Sequence, residues 1–357
     1  MKRISRKEFL RQAASASVAA AVAVTSRGAW AQEPPKPASI VVNSSGGAVN
    51  KALRKAYFED FEKRYGIRII DTSPADLSKL RAMVESGNVQ WDVTEIPGQD
   101  GPLAQKLNLL EPLDLKVIDL RPFPPHVQKN THLFPRSIYS TVLAYRTDVY
   151  KTGNHPKGWA QFWDVKGFPG RRSLRNHPID NLEYALLADG VPKEKLYPLD
   201  VDRAFKKLDQ IKPHIAVWWT SGAQPAQLLV DGEVDLATGW NGRFYDLMVK
   251  KAPVAIEWAG GAIKESHFGI PRGAKNVYWS QRFLAVMAEA ERQAVYANEL
   301  AYPGLNLDSI KFVRAEVAPH LVSYPEHLSK QFFIDLDWWT ENGPAAQERW
   351  NRWMLAR

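Results

Sequence analysis

The residues of this 357-residue chain best suited to binding a small charged molecule are in the segment Trp240-Asn241-Gly242-Arg243. The face of a tryptophan attracts an ammonium group, and the amide of Asn241 offers both donors and an acceptor. The planar guanidinium of Arg243 matches a carboxylate. The structural alternative is an ion pair, since Arg243 is close in sequence to the acidic residues Glu233 and Asp246.

Two other segments combine hydroxyl groups with glycine. Ser44-Ser45-Gly46-Gly47 precedes a helical pattern, so its backbone N–H groups and the helix N-terminus favour a negative group. A helix cap with a tight turn is the alternative, and the dinucleotide fingerprint G-x-G-x-x-G is missing. Trp219-Thr220-Ser221-Gly222 repeats the arrangement and adds an aromatic face, although a tryptophan at a strand end is more often a packing residue.

The sequence lacks catalytic and metal-binding patterns. It has no cysteine, and its eight histidines are scattered without the H-E-x-x-H spacing of zinc sites. The nucleophile motif G-x-S-x-G and the phosphate-binding P-loop are also absent. No nucleophile, base and oxyanion donors come together. We therefore predict a protein that is not an enzyme and that needs no metal and no cofactor.

The elements that must position these residues alternate between strand and helix patterns, which is typical of a parallel sheet covered by helices. In the first part of the chain, strands are predicted at residues 40–42, 67–70 and 91–96. Apolar residues four apart predict a helix that ends at Gly66. Ser73, followed by Pro74, predicts the cap of a second helix that ends at Gly87.

A second set of elements begins near Tyr145. Helices are predicted at residues 182–187, 201–211, 223–230 and, as one or two helices, 331–353, and strands at 215–219 and 234–238. Parallel α/β sheets bind ligands at the carboxyl ends of their strands. The loops 43–47, 97–101 and 219–222 are at such ends, and Gln99 of the middle loop joins the candidates.

The first thirty-one residues have the three-part layout of a secretory signal. A basic start is followed by an Ala- and Val-rich run at 13–24 and by Ala29-Trp30-Ala31, which predicts cleavage after Ala31. The run is shorter than the roughly 20 residues that span a bilayer as a helix. Residues 5–10 resemble the twin-arginine export motif, with Lys7 at the place of the second arginine. We predict export to the periplasm.

The positive charge of the chain is concentrated in this signal. Six Lys and Arg residues against one Glu in residues 1–31 account for +5 of the formal net charge of +8, so +3 remains on the rest. A remainder with so little net charge gives no electrostatic footprint for nucleic acid. We therefore expect no nucleic-acid partner.

Seven short segments, each weak alone, follow one another in an order and spacing that together are specific. They are Ser44-Ser45-Gly46-Gly47, residues 58–69, Trp91-Asp92-Val93, Trp163-Asp164-Val165, residues 168–172, residues 239–243 and Tyr302-Pro303. With them the chain resembles the periplasmic solute-binding proteins of ABC importers, in the branch that includes polyamine and γ-aminobutyrate binders. The resemblance covers nearly the whole chain after the signal.

The resemblance implies a two-lobe periplasmic-binding-protein fold of type II. Each lobe is expected to be a mostly parallel α/β sheet flanked by helices, and crossover strands are expected to hinge the lobes around one small-molecule solute. The implied boundaries are residues 39–143 with 266–308 for the first lobe and 144–265 with 309–357 for the second. The implied protein is a monomer that delivers its solute to an inner-membrane ABC permease. A periplasmic sensor of the same fold is the alternative.

The resemblance also suggests residues for the site. In the polyamine-type members, aromatic residues surround the methylenes of the ligand and carboxylates hold its ammonium ends. By motif, Trp240 and Tyr302 match the aromatic residues and Asp180 matches one carboxylate. The chain departs at residues 264–267, where Lys-Glu-Ser-His replaces a pattern with Trp and Asp, and at residues 44–47, which replace an aromatic loop.

These departures, with Arg243, favour a ligand that carries a carboxylate and an amine at its other end, with a polyamine as the alternative. The predicted ligand-binding residues are Ser44, Ser45, Gly46, Gly47, Gln99, Tyr139, Asp180, Trp219, Thr220, Ser221, Trp240, Asn241, Arg243, Ser266 and Tyr302.

Overall fold

A sheet of nine strands forms within residues 33–151 and 153–356, which are the residues that the computed structural model describes. The strands are β1 Ser39–Asn43, β2 Arg68–Thr72, β3 Val93–Pro97, β4 Phe134–Arg146, β5 Arg172–Arg175, β6 Ile215–Trp219, β7 Leu236–Trp240, β8 Val254–Gly269 and β9 Phe332–Phe333. All of them belong to one compact unit that starts at Ala38. The export signal predicted for residues 1–31 lies outside the described residues.

The sheet has two parallel parts joined by a central antiparallel pair. Its strand order is β2-β1-β3-β8-β4-β7-β5-β6, with β9 beside β8. Pairing is parallel on both sides of the centre and between β8 and β9. It is antiparallel where β3 meets β8, β8 meets β4, and β4 meets β7. The two long strands β4 and β8 therefore connect one part of the fold to the other.

Helices cover the sheet. They are α1 Ala48–Leu53, α2 Glu59–Tyr65, α3 Leu77–Ser86, α4 Gly101–Lys106, α5 Pro125–Gln128, α6 Trp159–Trp163, α7 Pro178–Ala188, α8 Val201–Ile211, α9 Gln224–Val230, α10 Asn241–Val249, α11 Val277–Ala288, α12 Ala290–Leu300, α13 Pro325–Lys330 and α14 Leu336–Leu355. A π-helical turn joins α1 to α2, and Gly66 ends α2 in the left-handed conformation that glycine favours. No helix of the described residues is long and apolar enough to cross a membrane.

Several predicted boundaries are wrong by a few residues, among them the starts of β3, α7 and α14. The cap of α3 is Asp76, whose carboxylate accepts a hydrogen bond of 3.0 Å from the backbone N–H of Lys79, and Ser73 lies outside this helix. Both residue types cap helices, and the one whose side chain reaches the free N–H groups of the first turn defines the start. Strand β7 begins and ends two residues later than predicted, so Trp240 is its last residue.

The apolar residues collect in two large clusters, one on each side of β4 and β8. One cluster includes side chains from β1, β2, α1, α2, α11 and α12. The other takes them from α6, α7, α8 and the C-terminal helix α14. Burial of each cluster removes apolar surface from water and is the main source of stability for its half. The fold is thus the expected two-lobe α/β type, with a mostly parallel sheet and with β4 and β8 as crossover strands.

Candidate functional site

A cavity of about 580 Å³ lies where the carboxyl ends of the parallel strands face β4 and β8. Loops that follow β1, β2 and β3 line it from one side, and the ends of β5, β6 and β7 line it from the other. The sequence-predicted residues in its lining are Ser45, Gly46, Gly47, Gln99, Tyr139, Thr220, Ser221, Trp240, Arg243, Ser266 and Tyr302. The loops 43–47, 97–101 and 219–222, which are far apart in sequence, thus meet at one cavity, as expected for loops at the carboxyl ends of parallel strands.

Four predicted residues lie outside the lining, namely Ser44, Asp180, Trp219 and Asn241. The hydroxyl of Ser44 donates to the side-chain oxygen of Asn50, and the indole N–H of the buried Trp219 donates to Thr238 at 3.2 Å. The amide of Asn241 is bonded to two backbone groups. The polar groups of these three side chains are already hydrogen-bonded within the protein, and Asp180 forms the ion pair described below. We therefore withdraw the four residues as direct ligand contacts.

Asp180 is occupied by an internal ion pair. Its carboxylate accepts a short hydrogen bond from Nζ of Lys264 and a second, of 3.0 Å, from the hydroxyl of Thr141. The Asp180 and Lys264 side chains are 1% and 0% exposed. Lys264 stands in the segment where the polyamine-type pattern has Trp and Asp, so the lysine neutralises the carboxylate that was expected to hold an ammonium group.

A second buried ion pair forms the floor of the cavity. Glu95 accepts a hydrogen bond of 2.7 Å from Nη2 of Arg136, and the two side chains are only 5% and 4% exposed. The other oxygen of Glu95 accepts the backbone N–H and the hydroxyl of Ser45, both at 2.8 Å. Ser266 bridges the pair, donating to Glu95 at 3.0 Å. Glu95 therefore fixes the Ser45 loop and has its charge balanced by Arg136.

Three charged groups in the lining make no ion pair within the described residues. The guanidinium of Arg243 lies over Gly47, where an added β-carbon would be 3.3 Å from its Nη1 atom. Within the described residues Arg243 pairs with neither of the two acidic neighbours that were its alternative, Glu233 and Asp246, and Asp246 pairs with Lys250 at 2.7 Å. Arg175 lies over the ring of the buried Trp219, 5.6 Å from its centroid. Asp100 is the third.

Burial raises the pKa of Asp100 to about 6, with a smaller contribution from Asp76, while the positive charge of Arg175 opposes the increase. Desolvation disfavours the charged form of a carboxyl group, and a nearby cation favours it. At neutral pH, Asp100 is therefore mostly ionised, and it is the acidic group of the lining that makes no ion pair within the described residues. It lies beside the predicted residue Gln99, whose side-chain oxygen is buried and finds no hydrogen-bond partner among residues 33–151 and 153–356.

Three aromatic rings of the lining and the buried ring of Trp219 form a continuous row. The ring of Tyr139 is 6.2 Å from that of Tyr302 and 5.9 Å from that of Trp240, which in turn is 6.2 Å from Trp219. Burial raises the pKa of Tyr302 to about 12, against the charges of Arg243 and Arg136, so this phenol stays protonated at neutral pH. An added β-carbon on Gly222 would be 2.1 Å from the indole of Trp240. Only glycine lets this loop pass so close to the ring.

Sequence reasoning missed four charged residues of the lining: Glu95, Asp100, Arg136 and Arg175. Arg175 is the last residue of β5, and Asp100 follows Gln99 directly after β3. The strand-end rule that selected Trp219 and Gln99 also applies to these two. Among the described residues there is no group of three or more acidic or histidine side chains placed to hold a metal ion.

Comparison with known proteins identifies the family. A family model described as "Bacterial extracellular solute-binding protein" matches residues 56–321, which is most of the chain. The chain belongs to this family of solute-binding proteins. This solute-binding protein is 33% identical in sequence to the gamma-aminobutyric acid-binding protein of Pseudomonas aeruginosa, over 88% of this chain and 90% of the relative.

Solved structures agree with this assignment. The solute-binding protein is similar to an ABC transporter substrate-binding protein from Bradyrhizobium japonicum, with a TM-score of 0.84, 39% identity and coverage of 89% of this chain and 100% of the other. It is also similar to the binding protein MotA of A. tumefaciens, solved in complex with glucopine, with a TM-score of 0.83, 33% identity and coverage of 89% and 100%. The protein is thus a solute-binding protein of ABC transporters, a family that binds small molecules and works with membrane permeases.

Proposed function

We propose that this protein is the periplasmic receptor of an ABC importer for a small, amino-acid-like solute that carries a carboxylate and an amine. One observation carries the proposal: the cavity lining presents Arg243, a guanidinium with no ion pair among the described residues. Its Nε atom is buried and has no hydrogen-bond partner in the described part of the chain. A buried polar group without a partner costs free energy, and a carboxylate on Arg243 removes that cost.

The rest of the lining supplies the other contacts that such a solute needs. Asp100 and the free side-chain oxygen of Gln99 are acceptors for an ammonium group. The row of aromatic rings gives an apolar surface to the methylenes between the two charged ends, as is common in small-molecule sites. A polyamine is a poorer match, because Glu95 and Asp180 are each neutralised by an internal cation.

The transport cycle follows from the two-lobe fold. We propose that residues 39–143 with 266–308 form one lobe and residues 144–265 with 309–357 the other, and that β4 and β8 are the hinge. A solute favours the closed state only through contacts with both lobes. Arg243 and Ser45 lie on opposite sides of the boundary, so a solute that contacts both stabilises closure, and the permease recognises the closed form.

The cellular role completes the proposal. The signal is expected to be removed after Ala31, and the monomeric protein then carries its solute to an inner-membrane ABC permease without catalysing a reaction. The patterns of basic, apolar and small residues in 1–31 support export. A sensor of the same fold is distinguished genetically, because permease and ATPase genes next to this one favour transport.

The ligand class is tested with a thermal-shift screen of amino acids, ω-amino acids and polyamines on the mature protein. A ligand present at 100 times its dissociation constant raises the free energy of unfolding by about 2.7 kcal/mol. We expect the strongest shifts from solutes with both a carboxylate and an amine. Selective stabilisation by spermidine or putrescine, without any response to amino acids, would overturn the proposed class.

Substituting Arg243 by glutamine should weaken binding of the best solute from this screen by about tenfold to a hundredfold, because hydrogen bonds between charged groups contribute about 1.5–3 kcal/mol. The measurement is calorimetric titration. Arg81→Gln is the matched control, since Arg81 is exposed on α3 and pairs with Glu85. Equal affinities for the Arg243 variant and this control would show that the carboxylate binds elsewhere.

A further inference from the structure

The charges around the cavity divide into those that the protein balances itself and those that it leaves for a ligand. Glu95 with Arg136, and Asp180 with Lys264, are buried pairs whose members neutralise each other. A ligand that competed for either pair would leave its former partner buried and uncompensated, which costs several kcal/mol. The two pairs therefore take no part in binding a charged ligand group.

The remaining charges of the lining are two guanidiniums and one carboxylate. Arg175 and Arg243 form no ion pair among the described residues, and Asp100 is the acid near Arg175. With Asp100 ionised, these three groups leave an excess of one positive charge. A zwitterion with one carboxylate has no net charge, so closure around it would bury one guanidinium without a counter-ion.

The two guanidiniums are at different ends of the aromatic row. Arg243 is at the Tyr302 end, because it directly follows Gly242, where an added β-carbon would be 2.5 Å from the Tyr302 ring. Arg175 covers the Trp219 end, 5.6 Å from the ring centroid. Tyr139 and Trp240 lie between them. One acidic group cannot satisfy both ends of such a row, whereas two acidic groups joined by an aliphatic chain can.

We propose that the ligand is an amino dicarboxylate, with an α-amino acid head at Arg175 and Asp100 and a distal carboxylate at Arg243. This inference rests on the proposed function and narrows it from amino-acid-like solutes to those with a second acidic group. The ammonium of the head binds to Asp100 and its α-carboxylate to Arg175. The net charge of the ligand, −1, then balances the excess of the lining.

Matched ligand pairs that differ only in the α-carboxylate test the inference. L-glutamate is paired with γ-aminobutyrate, and L-2-aminoadipate with 5-aminopentanoate. Calorimetric titration of wild-type protein should give, for at least one pair, a dicarboxylate that binds about tenfold to a hundredfold more tightly than its partner. Arg175→Gln should remove that difference, because it lowers the affinity for the dicarboxylate far more than the affinity for its monocarboxylate partner.

The outcomes separate this inference from the proposed function. Equal binding within both pairs, or an unchanged preference in Arg175→Gln, would overturn the dicarboxylate while leaving the proposed amine and carboxylate class intact. Absence of binding by all four probes would also overturn it. Failure of the proposed function has a different signature, namely binding of polyamines alone or no effect of Arg243→Gln on the best solute. Far-ultraviolet circular dichroism and melting curves, compared with those of Arg81→Gln, confirm that the Arg175 variant is folded.

Discussion

Replacing Lys264 by methionine should lower the free energy of unfolding by about 3–5 kcal/mol, because it leaves the carboxylate of Asp180 buried without its cation. The Asp180 side chain is 1% exposed. Its carboxylate also accepts a hydrogen bond from the hydroxyl of Thr141. Denaturant unfolding monitored by tryptophan fluorescence measures the loss. Lys250→Met is the matched control, since Lys250 forms an exposed pair with Asp246, and such pairs contribute about 0–1 kcal/mol.

A double-mutant cycle shows whether the loss comes from the ion pair. Asparagine has nearly the same shape as aspartate and keeps an acceptor for the hydroxyl of Thr141, but it carries no charge. Adding Asp180→Asn to Lys264→Met should therefore recover most of the lost stability. A Lys264→Met protein as stable as Lys250→Met, or one that Asp180→Asn does not rescue, would contradict the assigned pair. In that case Asp180 would again be a candidate for ligand contact.

The second large effect is expected at Glu95. Glu95→Gln removes the negative charge that balances the buried guanidinium of Arg136, and the free energy of unfolding should fall by about 3 kcal/mol or more. The glutamine NH2 group can also take the place of the carboxylate oxygen that accepts the two hydrogen bonds from Ser45. The Ser45 loop then loses these bonds, so the affinity for the solute should fall as well. Unfolding curves and calorimetric titration measure the two effects.

Glu85→Gln is the control for this variant, because Glu85 is exposed on α3 and pairs with Arg81. Its stability should stay within about 0.5 kcal/mol of the wild type. Glu95 would instead be an ammonium ligand if Glu95→Gln kept full stability and lost only the binding of amines. That result would favour a polyamine as the ligand.

Local sequence patterns predicted much of the fold, because they report on residues within a single element. Helix α8 and strand β6 have the predicted bounds of Val201–Ile211 and Ile215–Trp219. The crossover strands β4 and β8 were not predicted. They have 13 and 16 residues, and their burial patterns do not alternate regularly, since their residues contact both clusters and both sides of the cavity. Their sequences therefore lack the simple alternation of a strand with one buried face.

The parts of the site that lie at strand ends could be predicted from the sequence. The ion pairs between residues far apart in sequence could not. The loops at Ser45 and Ser221 were found because each follows a strand. The partner of Asp180 is 84 positions away along the chain, and the partner of Glu95 is 41 positions away. No local pattern specifies such partners. Which charges stay free for a ligand is decided by these pairings, and so it required the three-dimensional structure.

A crystal structure of the protein with the best-binding solute tests the central claim most directly. The solute should lie between β4, β8 and the strand-end loops, with a carboxylate of the solute within hydrogen-bond distance of the guanidinium of Arg243. The Glu95–Arg136 pair should stay intact in that complex. A solute bound outside this cavity, or one bound inside it with an ammonium group on Glu95 and nothing on Arg243, would contradict the account.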